Sequence, residues 1–172
     1  MFNLGMRAML RLTDVYAGYL TRKETAMRKL FALINPFIVA LARSPLHWLI
    51  SRNVMVIQFS GKKSGKRYAI PVSYLRQGNT VYSMTLADGL WWRNLFEAAL
   101  PVQVVLRGQE YVVHSSVEAN ARDIREHWMA NFCGASRISA FFSGVGFRNG
   151  VMIQSDLRQA ASQNVLISLE LA

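Results

Sequence analysis

Four cations, Lys62, Lys63, Lys66 and Arg67, fall within the short stretch Gly61-Lys-Lys-Ser-Gly-Lys-Arg67. Gly61 and Gly65 let such a loop bend tightly, because glycine tolerates positive φ. A bend of this kind presents ammonium groups and backbone N–H groups to an anion. It is not a P-loop, which needs four residues between its glycines and a Ser or Thr after the Lys. A solvated, charged hairpin turn would have the same composition. Elsewhere the chain offers little chemistry. His47, His114 and His127 are scattered, and none lies at metal-ligand spacing from a second His or a Cys, so no metal site is expected. There is no G-x-S-x-G elbow and no dinucleotide fingerprint. The single cysteine, Cys133, excludes an internal disulfide and reads as a small buried hydrophobe. No catalytic side chain is assigned, so a cofactor would have to carry any difficult step.

The elements that must position this loop are mostly strands. Residues 54–60 are rich in β-branched side chains, and 67–75 form a second strand-like run in which Pro71 marks an edge or a bulge. A turn over 76–79 leads to a third strand, 80–86. Residues 90–99 read as a short helix, and 102–107 with 110–117 as a hairpin about Gly108-Gln109. Asn120 or a neighbour caps a helix reaching Phe132, with Ile124, Trp128 and Phe132 on one face. Residues 133–150 read as irregular, 151–162 as ambiguous between helix and coil, and 165–171 as a final alternating strand.

Before the strands, Leu4, Ala8, Leu12, Val15 and Tyr19 recur at helical spacing across residues 1–34, with Arg and Lys on the other side. A short second helix is expected at 45–50, after Pro45. The expected division is a basic amphipathic helical region, 1–50, and a barrel domain, 51–172. The net charge is +10 and uneven. Residues 1–79 hold thirteen Lys/Arg and two acids, and 80–172 hold seven and eight. A basic first half implies an anionic partner: a phosphorylated cofactor, an anionic membrane surface or nucleic acid. Nucleic acid is the least favoured, since no nucleic-acid module is recognisable. The apolar run 30–42 is broken by Asn35-Pro36 and too short to span a bilayer, and nothing resembles a signal peptide.

In order and spacing, Arg43-Ser-Pro-Leu-His47, the Gly61–Lys66 loop, Pro71-Val-Ser-Tyr74, Trp91-Trp-Arg-Asn-Leu95 and Pro101-Val-Gln-Val-Val105 resemble the deazaflavin-dependent nitroreductase family. That family comprises split β-barrels related to pyridoxamine-phosphate oxidase and small FMN-binding proteins. The resemblance covers roughly residues 36–132. It implies an α+β split barrel of six or so mostly antiparallel strands, with an N-terminal helical region and a homodimeric assembly. It implies a cofactor site made by Gly61, Lys63, Ser64, Gly65, Lys66 and Arg67 at the phosphate, with Pro71, Val72 and Ser73 along the ring. It places Tyr74, Trp91, Trp92 and Asn94 at the substrate pocket, with one tryptophan in the core and one on the pocket wall. Two positions depart from the family: Leu86-Ala-Asp-Gly89 stands where many relatives carry Ser-Lys-Gly-Gly, and Tyr68 replaces an Arg.

The activity implied is hydride transfer between a bound deazaflavin (coenzyme F-420) or FMN and a flat, electron-poor acceptor such as a quinone or nitro compound. The alternative is a non-catalytic barrel that binds a lipid or other small ligand at a membrane. The compartment expected is the cytoplasm, with peripheral attachment to the inner face of the membrane as the variant suggested by the charge.

Overall fold

The computed structural model describes residues 36–46, 52–89, 91–96 and 101–171. The chain divides into two compact units, Met1–Ile38 and Val39–Ala172. The expected basic helix over 1–34 lies outside the described residues, as do residues 47–50 of the expected second helix, whose described part, Pro45-Leu46, is a turn. Residues 36–43 are helical (α1), and the rest concerns the second unit.

Its framework is an antiparallel sheet of β1 (Val54–Ser60), β2 (Arg67–Ser73), β3 (Leu75–Gln77), β4 (Thr80–Leu86), β5 (Val102–Leu106), β6 (Gln109–Glu118) and β9 (Asn164–Leu171), in the order β2-β1-β5-β6-β9-β4-β3. The two edges of this order, β2 and β3, are consecutive in the chain. Only Tyr74 separates them. One bent strand thus pairs with β1 through Val54↔Ser73 to Ser60↔Arg67, and with β4 through Leu75↔Tyr82 to Gln77↔Thr80. The bend curls the sheet on itself into an α+β split barrel, as expected from the sequence. The expected turn at 76–79 is tighter than the composition suggests, because β3 runs through Gln77 and only Gly78-Asn79 are left to turn.

Alternation sorts each strand into an inner and an outer face. Met55, Ile57, Phe59, Val81, Val102, Val104, Leu106, Val113, Val165, Ile167, Leu169 and Leu171 fill the barrel. Val56 and Val105 point outward under Val39 and Ala42 of α1. Tyr82, Met84 and Leu166 also point outward, under Trp128 and Phe132 of α2 (Arg122–Ala135). The Tyr82 and Trp128 rings stack with centroids 3.7 Å apart. Of the expected helical face, Trp128 and Phe132 are buried, whereas Ile124 remains exposed.

Residues 133–150 are regular, contrary to the expectation. The helix α2 continues to Ala135, α3 spans Arg137–Ser143, and β7 (Phe147–Arg148) pairs with β8 (Val151–Met152). Ser136 caps α3 by accepting from the Ser139 N–H, and Gly144 closes it in the left-handed conformation. The β7–β8 turn is Asn149-Gly150, both at positive φ, 53° and 80°, as a two-residue I′ turn requires. The β5–β6 turn is Arg107-Gly108, one residue earlier than expected. The ambiguous stretch 151–162 resolves into β8 and α4 (Gln154–Gln163). Arg125 Nη1 of α2 donates to the carbonyls of Ala161, Ser162 and Asn164. It thereby ties α2 to carbonyls at the C-terminal end of α4, of which Ala161 also accepts from the Asn164 N–H.

Asn120 does not cap α2. The residue before the helix is Ala121, which makes no side-chain cap. Instead Glu118 Oε1 accepts from the N–H groups of Asn120 and Ala121 at 2.6 and 2.7 Å. These two bonds hold the Glu118 carboxyl below its ordinary pKa, with Arg125 adding a smaller contribution. The stabilisation is therefore complete above the ordinary carboxylate pKa and is lost as pH falls through the lowered folded value. Glu118→Gln should destabilise the fold near neutrality and flatten the acid limb of a stability-versus-pH curve measured by chemical denaturation. An unchanged acid limb would show that Glu118 does not anchor the helix.

Candidate functional site

The basic loop connects β1 to β2, and the structure shows what holds it. The Gly61 N–H donates to the Lys66 carbonyl at 2.9 Å, and the Gly65 N–H to the Gly61 carbonyl at 2.8 Å. The Lys66 N–H donates to Ser64 Oγ at 3.3 Å. The Lys62 N–H donates to Asn94 Oδ1 at 3.0 Å, and Asn94 Nδ2 donates to the Trp91 carbonyl at 2.9 Å. Asn94 thus bridges the loop and the 3-10 turn Trp91–Leu95, the described part of the expected helix over 90–99. Gly61 is fixed by close approach. A Cβ there would lie 2.8 Å from Ser64 Oγ and 3.0 Å from Tyr68 Cε2.

Four of the loop's N–H groups are consequently spent inside the protein. The side chains of Lys62, Lys63, Lys66 and Arg67 are all exposed. None of these four takes part in an ion pair among the described residues. Lys66 Nζ sits 6.0 Å from the Tyr68 ring centroid, at the limit of a cation–π contact.

Beside these cations stands a column of three rings. Phe59 stacks on Tyr68 with centroids 5.5 Å apart and on Trp91 at 5.9 Å, each pair tilted by 22°. Phe59 is buried, Trp91 half-buried and Tyr68 38% exposed. The buried Phe59 ring lies between the other two, and Tyr68 reaches the surface beside Lys66. Tyr68 and Phe59 were absent from the expected site, although Tyr68 lies only two residues beyond Lys66. Period-two alternation puts it with Ile70 and Val72 on the inner face, but only the paired strands Phe59↔Tyr68 bring the rings together.

The other expected residues are placed as follows. Trp92 is in the core, and its Nε1 donates to the Ala87 carbonyl at 3.2 Å, while Ala87 N–H donates to Gln163. This ties the segment Leu86–Gly89 to the turn and to the end of α4. Leu95 is fully buried, and its carbonyl accepts from Ser115 Oγ at 2.8 Å. Tyr74 is also buried in the barrel core. Pro71 and Ser73 face outward on the edge strand β2, and Val72 packs inward. Counting the ladder from the Gly61–Lys66 bond puts Pro71, opposite Val56, at a position whose N would point away from β1. Its missing N–H therefore costs the sheet nothing. Ser73 is six residues along β2 from Arg67, or about 20 Å. The loop, Trp91 and Asn94 thus form one cluster, and Ser73 and Tyr74 lie at the far end of the strand. Among the described residues no three His, Cys, Asp or Glu side chains come together as a metal site.

No family model matches the chain, and no curated protein matches it. Similar solved structures include a provisionally named pyridoxamine 5'-phosphate oxidase from Listeria innocua, 15% identical, covering 76% of this chain and 93% of that one at a TM-score of 0.49. The haem storage protein from Vibrio cholerae is 11% identical over 76% and 90%, at 0.48. An F420-H2 dependent reductase is 15% identical over 68% and 94%, at 0.43.

Asn94→Ala removes both ends of the bridge between loop and turn. It should cost about 1–2 kcal/mol, the usual range for one or two half-exposed hydrogen bonds. Hydrogen exchange at the Lys62 amide should accelerate in the variant. An equally protected amide would mean that the loop is held elsewhere.

Proposed function

We propose that the Gly61–Arg67 loop and the Tyr68–Phe59–Trp91 rings hold a phosphorylated, flat-ring cofactor of flavin or deazaflavin type, and that the protein is an oxidoreductase. The observation that carries this reading is the juxtaposition of the ring column with four exposed cations that have no ion-pair partner among the described residues. The residues fit such a group. Lysine ammonium groups neutralise a phosphate as point charges, without strict geometry. The rims of Tyr68 and Trp91 offer apolar contact to a flat ring. The outward edge of β2 continues from the loop past Pro71 toward Ser73, as the resemblance implies for the polar margin of the ring system. The cofactor, when bound, supplies the hydride chemistry. The chain's part is to bind it, to orient it and to hold a flat, electron-poor acceptor such as a quinone or nitro compound within reach, so that proximity lowers the barrier. The resemblance extends the reading to a homodimer.

Lys63→Ala and Tyr68→Ala should each weaken cofactor binding by roughly three- to tenfold, the loss of one charge-assisted contact or one ring contact. Arg76→Ala, on β3 away from the loop, should not. Fluorescence titration of the purified protein with FMN and with the deazaflavin measures this. Trp91→Ala should lower turnover with a quinone or nitro acceptor more than it lowers cofactor affinity. Failure of both cofactors to bind below high micromolar concentration would overturn the reading.

A further inference from the structure

The four most exposed large apolar side chains described in Val39–Ala172 all lie within residues 138–151. Phe141 is 76% exposed, Ile138 68%, Val151 66% and Phe142 55%. Ile138, Phe141 and Phe142 stand at i, i+3 and i+4 on α3, so they share one side of that helix. The opposite side is anchored by Ala140, fully buried in the helical layer with Met129, Cys133 and Leu157. A small residue faces inward and the bulky ones face solvent, the reverse of what burial alone would select.

The charge carried by this segment itself is one-signed. Residues 134–152 contain Arg137 and Arg148 and no acid. The Arg137 guanidinium lies over the Phe147 ring at 3.7 Å, which ties the β7–β8 hairpin to the start of α3. Arg148 is exposed, in register with Val151 across the hairpin. Asp156, the nearest acid that follows in sequence, is turned inward and accepts from the Gly146 N–H at 3.1 Å.

We propose that α3 and the β7–β8 hairpin form a docking surface for an anionic lipid membrane. Phe141, Phe142 and Ile138 would enter the headgroup–acyl boundary while Arg137 and Arg148 meet lipid phosphates. Shallow burial of large apolar side chains beside cations is the composition that interfacial binding rewards. A second copy of the chain is a poorer occupant. A two-fold contact through this face would bring the arginines of both copies together with no acid in 134–152 to pair them. The surface shares no residue with the basic first half of the sequence or with the cofactor site.

Flotation of the full chain with phosphatidylcholine vesicles, with and without phosphatidylglycerol, tests this. The wild type should float mainly with the anionic vesicles. The triple variant I138S/F141S/F142S should lose about tenfold or more in partitioning, since burial of even one large side chain is worth that much. Arg148→Gln should narrow the difference between the two vesicle types. The basic first half is identical in all three proteins, so a loss in the variants reports on this surface. Phe141→Ser alone, at the most exposed of the three positions, keeps the test valid if the triple variant does not fold. FMN and deazaflavin titrations should be the same in variant and wild type, which separates this proposal from the cofactor reading. Flotation of the triple and single variants at the wild-type level, or no flotation of the wild type, would overturn it. So would a loss of dimer in the triple variant by sedimentation velocity with lipid binding unaltered.

Discussion

The unit depends on one bent strand that serves two edges. An antiparallel sheet with an apolar inner face cannot stay open in water, because its edges are unpaired and its face is exposed. Here β2 pairs with β1, β3 pairs with β4, and the turn of chain direction happens at the buried Tyr74 between them. Tyr74 is held from both directions: its N–H donates to the Asn53 carbonyl, and its side chain packs among the barrel residues. Every strand that lines the interior owes its buried face to this closure.

Closure also explains the arrangement at one end of the barrel. Where β1 turns into β2, the inner face would end in an open rim. The turn Trp91–Leu95 sits there, with Leu95 and Trp92 buried and Trp91 stacked on Phe59. Asn94 then converts a packing contact into a fixed relation between the turn and the cationic loop. The candidate site is in this sense a by-product of finishing the barrel. Its aromatic part comes from the plug and its charged part from the hairpin.

The helical layer follows a different logic. Helices α2 and α4 cover the outer face of β4 and β9 and are joined by Arg125, which reaches from one helix to the end of the other. The small helix α3 is held by Ala140 and by the Cys133 neighbourhood, where burial raises the thiol pKa and keeps the sulfur a packing group. Because Ala140 is the only described residue of α3 that is fully buried, the large residues of that helix are left on the outside.

The run of strand-favouring residues by itself determined β1 and β4 to the residue, and alternation determined β9 to within one. The physical reason is that side chains on a strand alternate between two faces, so a strand covered on both sides, such as β1, reads as a continuous apolar run and one covered mainly on one side as an alternation. Asn149-Gly150 has the composition of a hairpin turn, but among four glycines and several aromatics the stretch 133–150 carries no period, and its expected irregularity is not observed. Two of these glycines, Gly144 and Gly150, in fact end a helix and close a turn. The Glu118 brace ahead of α2 was not legible, since Glu118 belongs to a strand and holds the entry to the helix only through the tight turn that follows. The basic loop and the tryptophans could be picked out by type. Their roles were decided by tertiary structure alone: which tryptophan is core, that Asn94 is a brace, and that Tyr68 and Phe59 complete the ring column. Those facts depend on residues 32 positions apart, Lys62 and Asn94, being brought within hydrogen-bonding distance. No local periodicity records such a contact, because it exists only once the barrel has closed.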